Sequence, residues 1–115
     1  MSITYKTLTV SVENDAALAR LLSTDLKDRR VLTEFFADLE LLSQMAVSRI
    51  SLDLSAAGFL DGTVPGKLVG LAQALNVTGT DLEIVTSPGV GEVLRLLNLE
   101  QMLKVRSPED PSAFA

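Results

Sequence analysis

The segment Ile50-Ser51-Leu52-Asp53-Leu54-Ser55 alternates strictly between apolar and polar residues, and it constrains the fold more than any other stretch of this chain. Successive side chains of an extended strand point to opposite faces, so this strand buries Ile50, Leu52 and Leu54 and turns two hydroxyls and a carboxylate the other way. The segments on either side have a different period. Over residues 28–44, Leu32, Phe35, Phe36, Leu39 and Leu42 recur at helical spacing, with Glu34, Asp38 and Ser43 away from that stripe. Beyond the loop 56–62, Val64, Leu68, Leu71, Ala72 and Leu75 trace a second helical stripe, in which Pro65 is tolerated because it falls in the first turn. A strand with one covered face, set between two helices, calls for parallel crossovers with the helices mainly on one side of the sheet.

The flanking segments extend this order. Residues 3–12 are rich in Thr, Val and Tyr and read as a strand with Leu8, Val10 and Val12 on one side and Thr9 and Ser11 on the other. Glu13-Asn14-Asp15 supplies turn residues, and residues 17–22, whose Ala- and Leu-rich composition also suits a helix, can pair back as a strand to complete a hairpin. Residues 82–86 form a short strand. Ser87 and Pro88 then suit the cap and first position of a third helix carrying Val90, Val93, Leu94 and Leu97 on one face. Residues 100–105 suit either a helical turn or a last short strand, and residues 106–115 are expected to fray. The result is a single α/β domain over residues 1–105, with a mixed sheet built from an N-terminal hairpin and parallel strands. A chain of 115 residues is large enough to bury such a core without staples.

Composition narrows the function. With neither Cys nor His, the chain cannot build a Cys/His zinc site, a thiolate nucleophile or a histidine acid/base pair. Its carboxylates are scattered over positions expected to face solvent, so no paired acid/base site is anticipated, and no enzyme, metal or cofactor is expected. A net charge of −5 opposes a nucleic-acid partner. Its densest basic stretch, Lys27-Asp28-Arg29-Arg30, reads as the solvated start of a helix. No apolar run is long enough to cross a bilayer and no basic, apolar leader opens the chain, so a cytoplasmic protein without membrane insertion is expected. The segment Gly62-Thr63-Val64-Pro65-Gly66-Lys67 falls short of a phosphate-binding loop, because it lacks one residue, Leu68 replaces the needed hydroxyl and Pro65 removes an amide.

The strand at residues 50–55, followed by Gly58-Phe59-Leu60-Asp61-Gly62-Thr63-Val64-Pro65-Gly66, resembles the centre of a STAS domain of the bacterial anti-sigma factor antagonist type. There, a strand of the form I-x-L-D-L-S runs into a loop reading Asp-Ser-Ser/Thr-Gly that opens a helix. Ser87-Pro88, followed by Val93-Leu94-Arg95-Leu96-Leu97-Asn98-Leu99, is similar to the family's downstream pattern, so the resemblance spans residues 49–105. It implies a non-catalytic regulatory protein whose loop docks on an anti-sigma factor with kinase activity. Phosphorylation of a loop hydroxyl would then break the complex. Carried onto this chain, the partner-binding residues would be Asp61, Gly62, Thr63, Val64, Pro65, Lys67 and Leu68, with Thr63 as phosphoacceptor, because Gly62 stands at the first hydroxyl position. Two roles stay open for Thr63, phosphoacceptor or cap of the helix starting at Val64, and two for Asp61, orienting carboxylate or acceptor for loop amides. The alternative to the switch is a constitutive scaffold, or an accessory subunit of a signalling assembly or transport ATPase. The sequence leaves the oligomeric state open, a dimer included.

Overall fold

The computed structural model describes residues 1–22 and 26–110. In chain order the elements are β1 (Ser2–Thr4), β2 (Leu8–Glu13), β3 (Ala16–Leu21), α1 (Arg29–Leu42), β4 (Arg49–Asp53), α2 (Val64–Val77), β5 (Asp81–Val85), α3 (Pro88–Leu96), a 3-10 turn (Leu99–Gln101) and β6 (Lys104–Arg106). The strands form one sheet in the order β1-β2-β3-β4-β5-β6. The pairs β1–β2 and β2–β3 are antiparallel, and β3–β4, β4–β5 and β5–β6 are parallel. Each parallel crossover steps one strand in the same direction, and right-handed crossovers of that kind place their helices on the same face. This is the single mixed α/β domain that the sequence predicts.

The β2–β3 hairpin closes through Asn14 and Asp15, with φ of 52° and 62°. Two consecutive left-handed residues make a primed turn, whose twist matches that of the strands. Asp28 caps α1, its carboxylate accepting from the amides of Arg30 (2.8 Å) and Val31 (3.4 Å). α2 ends at the left-handed Gly79, φ +80°, beside which Thr80 N–H donates to Leu75 C=O at 2.9 Å.

The core lies between the helices and one face of the sheet. Leu8, Val10, Ala17, Ala19, Ile50, Leu52, Leu82 and Ile84 meet Leu32, Phe35, Leu39 and Leu42 of α1 and Val64, Leu68, Leu71 and Leu75 of α2. The alternation predicted for β4 is present, with Ile50 and Leu52 buried and Arg49, Ser51 and Asp53 partly exposed. On that second face Arg20 pairs with Asp53 at 3.6 Å, and Ser51 Oγ donates to Glu83 at 2.9 Å.

Four sequence expectations need correction. Residues 3–12 are two strands, because the chain turns between Tyr5 and Thr7 and folds β1 back on β2, pairing Ile3 with Val10. Tyr5 N–H donates to Leu8 C=O at 2.7 Å, and Asp38 takes both the amide and the hydroxyl of Thr7, at 2.7 and 2.5 Å. Asp38 is therefore buried, although helical spacing places it off the apolar stripe. Glu83 is buried as well, held by Arg106 of β6 at 2.8 Å, so the acidic residues are not all at solvent-facing positions. On α3 only Val90 and Leu94 are buried, one helical turn apart, while Val93 and Leu97 are about half exposed.

Residues 100–105 realise both open alternatives, a 3-10 turn and then β6. Of the stretch expected to fray, Arg106 is the last residue of β6, and a turn follows in which Ser107 N–H donates to the Asp110 carboxylate at 3.2 Å. Residues 111–115 lie outside the described residues.

Candidate functional site

Because β3, β4 and β5 are parallel, the helices that follow them all start at the same end of the domain, outside the carboxyl ends of the strands. In open α/β sheets that end is where sites are commonly assembled. The loop joining β4 to α2 occupies it. Its base is pinned, with Leu54 and Ala57 fully buried. Leu54 N–H donates to Val85 C=O at 2.7 Å, and Ser87 Oγ to Ala57 C=O at 3.3 Å, which ties the start of α3 to the same loop. Asp53 organises the first turn, its carboxylate accepting from the amide and hydroxyl of Ser55 at 2.9 and 2.5 Å.

The tip of the loop faces solvent. Gly62, Thr63 and Lys67 are exposed, Asp61 is partly exposed, and Val64, Pro65 and Leu68 are buried under them. The seven candidate residues therefore divide into a displayed group and a group that anchors the helix start in the core. Thr63 occupies the cap position of α2 without capping it, because its side chain bonds no amide of the helix. Its hydroxyl donates instead to Asp61, whose same oxygen accepts the Thr63 amide at 2.9 Å. Of the two roles open to Asp61 from sequence, its contacts are those of an acceptor for a loop amide, with the Thr63 hydroxyl on the same oxygen. A Cβ added at Gly62 would meet nothing within 4 Å, so packing does not demand glycine there.

Across from Thr63 lies the start of α1. Lys27, Arg29, Thr33 and Phe36 share with Asp61 and Thr63 a surface cleft of about 360 Å³. Lys27 Nζ sits 4.9 Å from the centre of the half-exposed Phe59 ring, and Lys67 Nζ 5.2 Å from that of Phe36, both within cation–π range. Asp28 does start the helix as sequence suggested, but Lys27 and Arg29 turn toward the loop. Sequence reasoning treated them as solvated charges. The topology carried the missed signal, since parallel crossovers gather helix starts at one end. Among the described residues, no group of three or more acidic side chains could hold a metal ion, and no helix is long and apolar enough to cross a membrane.

The Asp61 carboxyl is held below its ordinary value of 3.8, first by the Thr63 hydroxyl, then by the Thr63 amide, with a smaller contribution from the Arg29 charge. A depressed folded value means that the stabilisation is fully present above pH 3.8 and is lost as pH falls through the lower, folded value. Thr63→Val removes the hydroxyl and keeps the amide. The Asp61 midpoint, followed by carboxyl ¹³C NMR, is then expected to move up toward 3.8; an unmoved midpoint would mean that the hydroxyl points elsewhere in solution.

Among solved structures, the fold is similar to that of the anti-sigma factor antagonist SpoIIAA in its unphosphorylated form. The TM-score is 0.67, with 18% identity over 89% of this chain and 90% of that one. It is also similar to the Bacillus cell fate determinant SpoIIAA in its phosphorylated form, with a TM-score of 0.62 and 18% identity over 89% and 93% of the two chains. The protein TM1081, determined by NMR, gives a TM-score of 0.63 at 19% identity over 91% and 82%. No family model matches the sequence, and no curated protein does. At these identities the likeness is one of fold.

Proposed function

We propose that this chain is a non-catalytic regulatory protein of the cytoplasm that binds a protein partner through residues 61–68, as an antagonist of an anti-sigma factor with kinase activity. In this reading, phosphorylation of Thr63 breaks the complex. The observation that supports it most is the exposed Thr63 hydroxyl on a loop whose neighbours Val64 and Leu68 are fixed in the core. Such a loop loses little freedom on docking, which favours association. The displayed residues Gly62, Thr63 and Lys67, with Asp61, would make the contact, while Val64, Pro65 and Leu68 hold its shape.

In the transfer step, Thr63 Oγ1 attacks the γ-phosphorus of ATP on the partner, an O–P bond forms, and the bond to the β,γ-bridging oxygen breaks to release ADP. The hydroxyl proton leaves to a base on the partner. Asp61 orients the hydroxyl but, being more acidic than usual, is poorly suited to keep that proton. The product carries a charge of about −1.5 to −2 into the interface, beside Asp61, where desolvation and repulsion oppose binding. The free domain tolerates it, because a helix N-terminus favours negative charge.

The test uses the partner recovered by affinity purification. With that partner, Thr63→Glu is expected to weaken binding about a hundredfold and Thr63→Ala to bind like wild type. ATP should add one phosphate at Thr63 by mass analysis in wild type alone. Equal affinity for wild type and Thr63→Glu would end the switch reading. The open space at Gly62 supports a second reading, a constitutive scaffold or accessory subunit, since a second hydroxyl would fit there and none is present.

A further inference from the structure

We propose that Lys27 and Arg29, at the start of α1, form a receptor within the same chain for a phosphate on Thr63, so that phosphorylation fastens the docking loop to α1 as well as charging it. This rests on Thr63 being the phosphoacceptor. The two cations and Thr63 line one cleft of about 360 Å³, together with Phe36 and with Thr33, whose hydroxyl donates to Arg29 C=O at 2.9 Å. That cleft can take a phosphoryl group without displacing any core residue.

The charges facing Thr63 can be set out element by element. From the start of α1 come Lys27 and Arg29, together with Asp28, whose carboxylate is engaged by the amides of Arg30 and Val31. From the loop and α2 come Asp61 and Lys67, the latter held over Phe36, which lines the same cleft. Among the described residues Arg29 makes no ion pair within 4 Å, so its guanidinium is available to a new anion.

Before modification, the Thr63 hydroxyl donates to Asp61. A phosphorylated Oγ has no proton to donate, and a near-dianion beside the Asp61 carboxylate is repelled. Swinging away from Asp61 takes the phosphate across the cleft to Lys27 and Arg29. There, charge-assisted hydrogen bonds, two of them from a single guanidinium, replace the lost one. The phosphorylated loop is then closed against its own helix, and a partner would have to break those bonds in addition to accommodating the charge.

The test needs no kinase. Phosphothreonine is placed at position 63 by genetic code expansion, and the second phosphate ionisation is followed by ³¹P NMR from pH 4 to 8. Nearby cations favour the dianion, so Lys27→Gln and Arg29→Gln are each expected to raise the midpoint by about half a pH unit, and the double variant by more. Both side chains are exposed and the Asp28 cap is retained, so circular dichroism and Tm of the unphosphorylated variants should match wild type. A double variant that leaves the ³¹P midpoint where it was overturns the receptor. That outcome leaves the phosphorylation switch standing, whereas failure of the partner to label Thr63 removes the switch without altering the ³¹P result.

Discussion

Replacing Arg106 by alanine is expected to destabilise the domain by about 3–5 kcal/mol, the range for breaking a buried ion pair from one side. Glu83 points away from the core face of β5, yet its side chain is only 1% exposed, against 21% for Arg106. Arg106 Nε donates to Glu83 at 2.8 Å, and Ser51 Oγ donates to the other carboxylate oxygen at 2.9 Å. The same guanidinium reaches the carbonyls of Ser107 and Asp110 at 3.2 and 3.0 Å, so it also fastens the turn after β6. Alanine removes the three bonds made by the guanidinium and leaves the Ser51 hydroxyl as the remaining donor described on the Glu83 carboxylate, in a poorly hydrated place. Arg106→Lys keeps the charge but not the planar fork, and should fall between. The double change Glu83→Leu with Arg106→Leu should recover most of the loss, because removing both members leaves no stranded charge. Urea unfolding of the four proteins decides it. A loss under about 1 kcal/mol in Arg106→Ala would mean that water reaches Glu83 once the arginine is gone.

The order of elements was legible because local pattern and tertiary role agree along most of the chain. The period at residues 50–55, the stripes of α1 and α2, and the Asn14-Asp15 turn each correspond to an element of the structure. Disagreement arises where a partner distant in sequence decides the outcome. No Gly, Pro or Asn marks the turn between β1 and β2; a carboxylate 31 residues away fixes Thr7 within it. Alternation assigns Glu83 correctly to the second sheet face, but its burial depends on Arg106, 23 residues later and in a strand of only three residues.

The candidate site divides in the same way. Its loop was visible through the motif around residues 58–66, because Asp61 and Thr63 lie two residues apart and interact locally. Its opposite wall was not visible, because Lys27 and Arg29 stand more than thirty residues upstream, and only the packing of α1 beside α2 brings them to Thr63. A basic run at a helix start carries no sign of which way it faces. Strand order supplies that direction, and with it the charge that a phosphate on Thr63 would meet.

Asp38→Ala is expected to cost about 2–4 kcal/mol, the sum of a lost hydrogen bond to a charged acceptor and the stranding of two buried donors. One carboxylate oxygen of Asp38 accepts both the amide and the hydroxyl of Thr7, and both residues are about 2% exposed. The bond couples the middle of α1 to the β1–β2 turn, and Thr7 C=O in turn accepts the Leu22 amide beyond the end of β3 at 2.8 Å. Asp38→Asn retains an acceptor oxygen and should lose less than alanine. Thr7→Val removes only the hydroxyl donor, and in the Asp38→Ala background it should add little, since the interaction is already gone. Equilibrium denaturation of the single and double variants gives the coupling directly. If the two losses simply add, Thr7 and Asp38 do not act as a pair in solution. A small loss with a lowered m-value would instead mean that β1 detaches without unfolding the rest, because the slope reports the surface exposed. Asp38 does not line the cleft beside Thr63, so partner binding by the folded fraction of Asp38→Asn is expected to equal that of wild type.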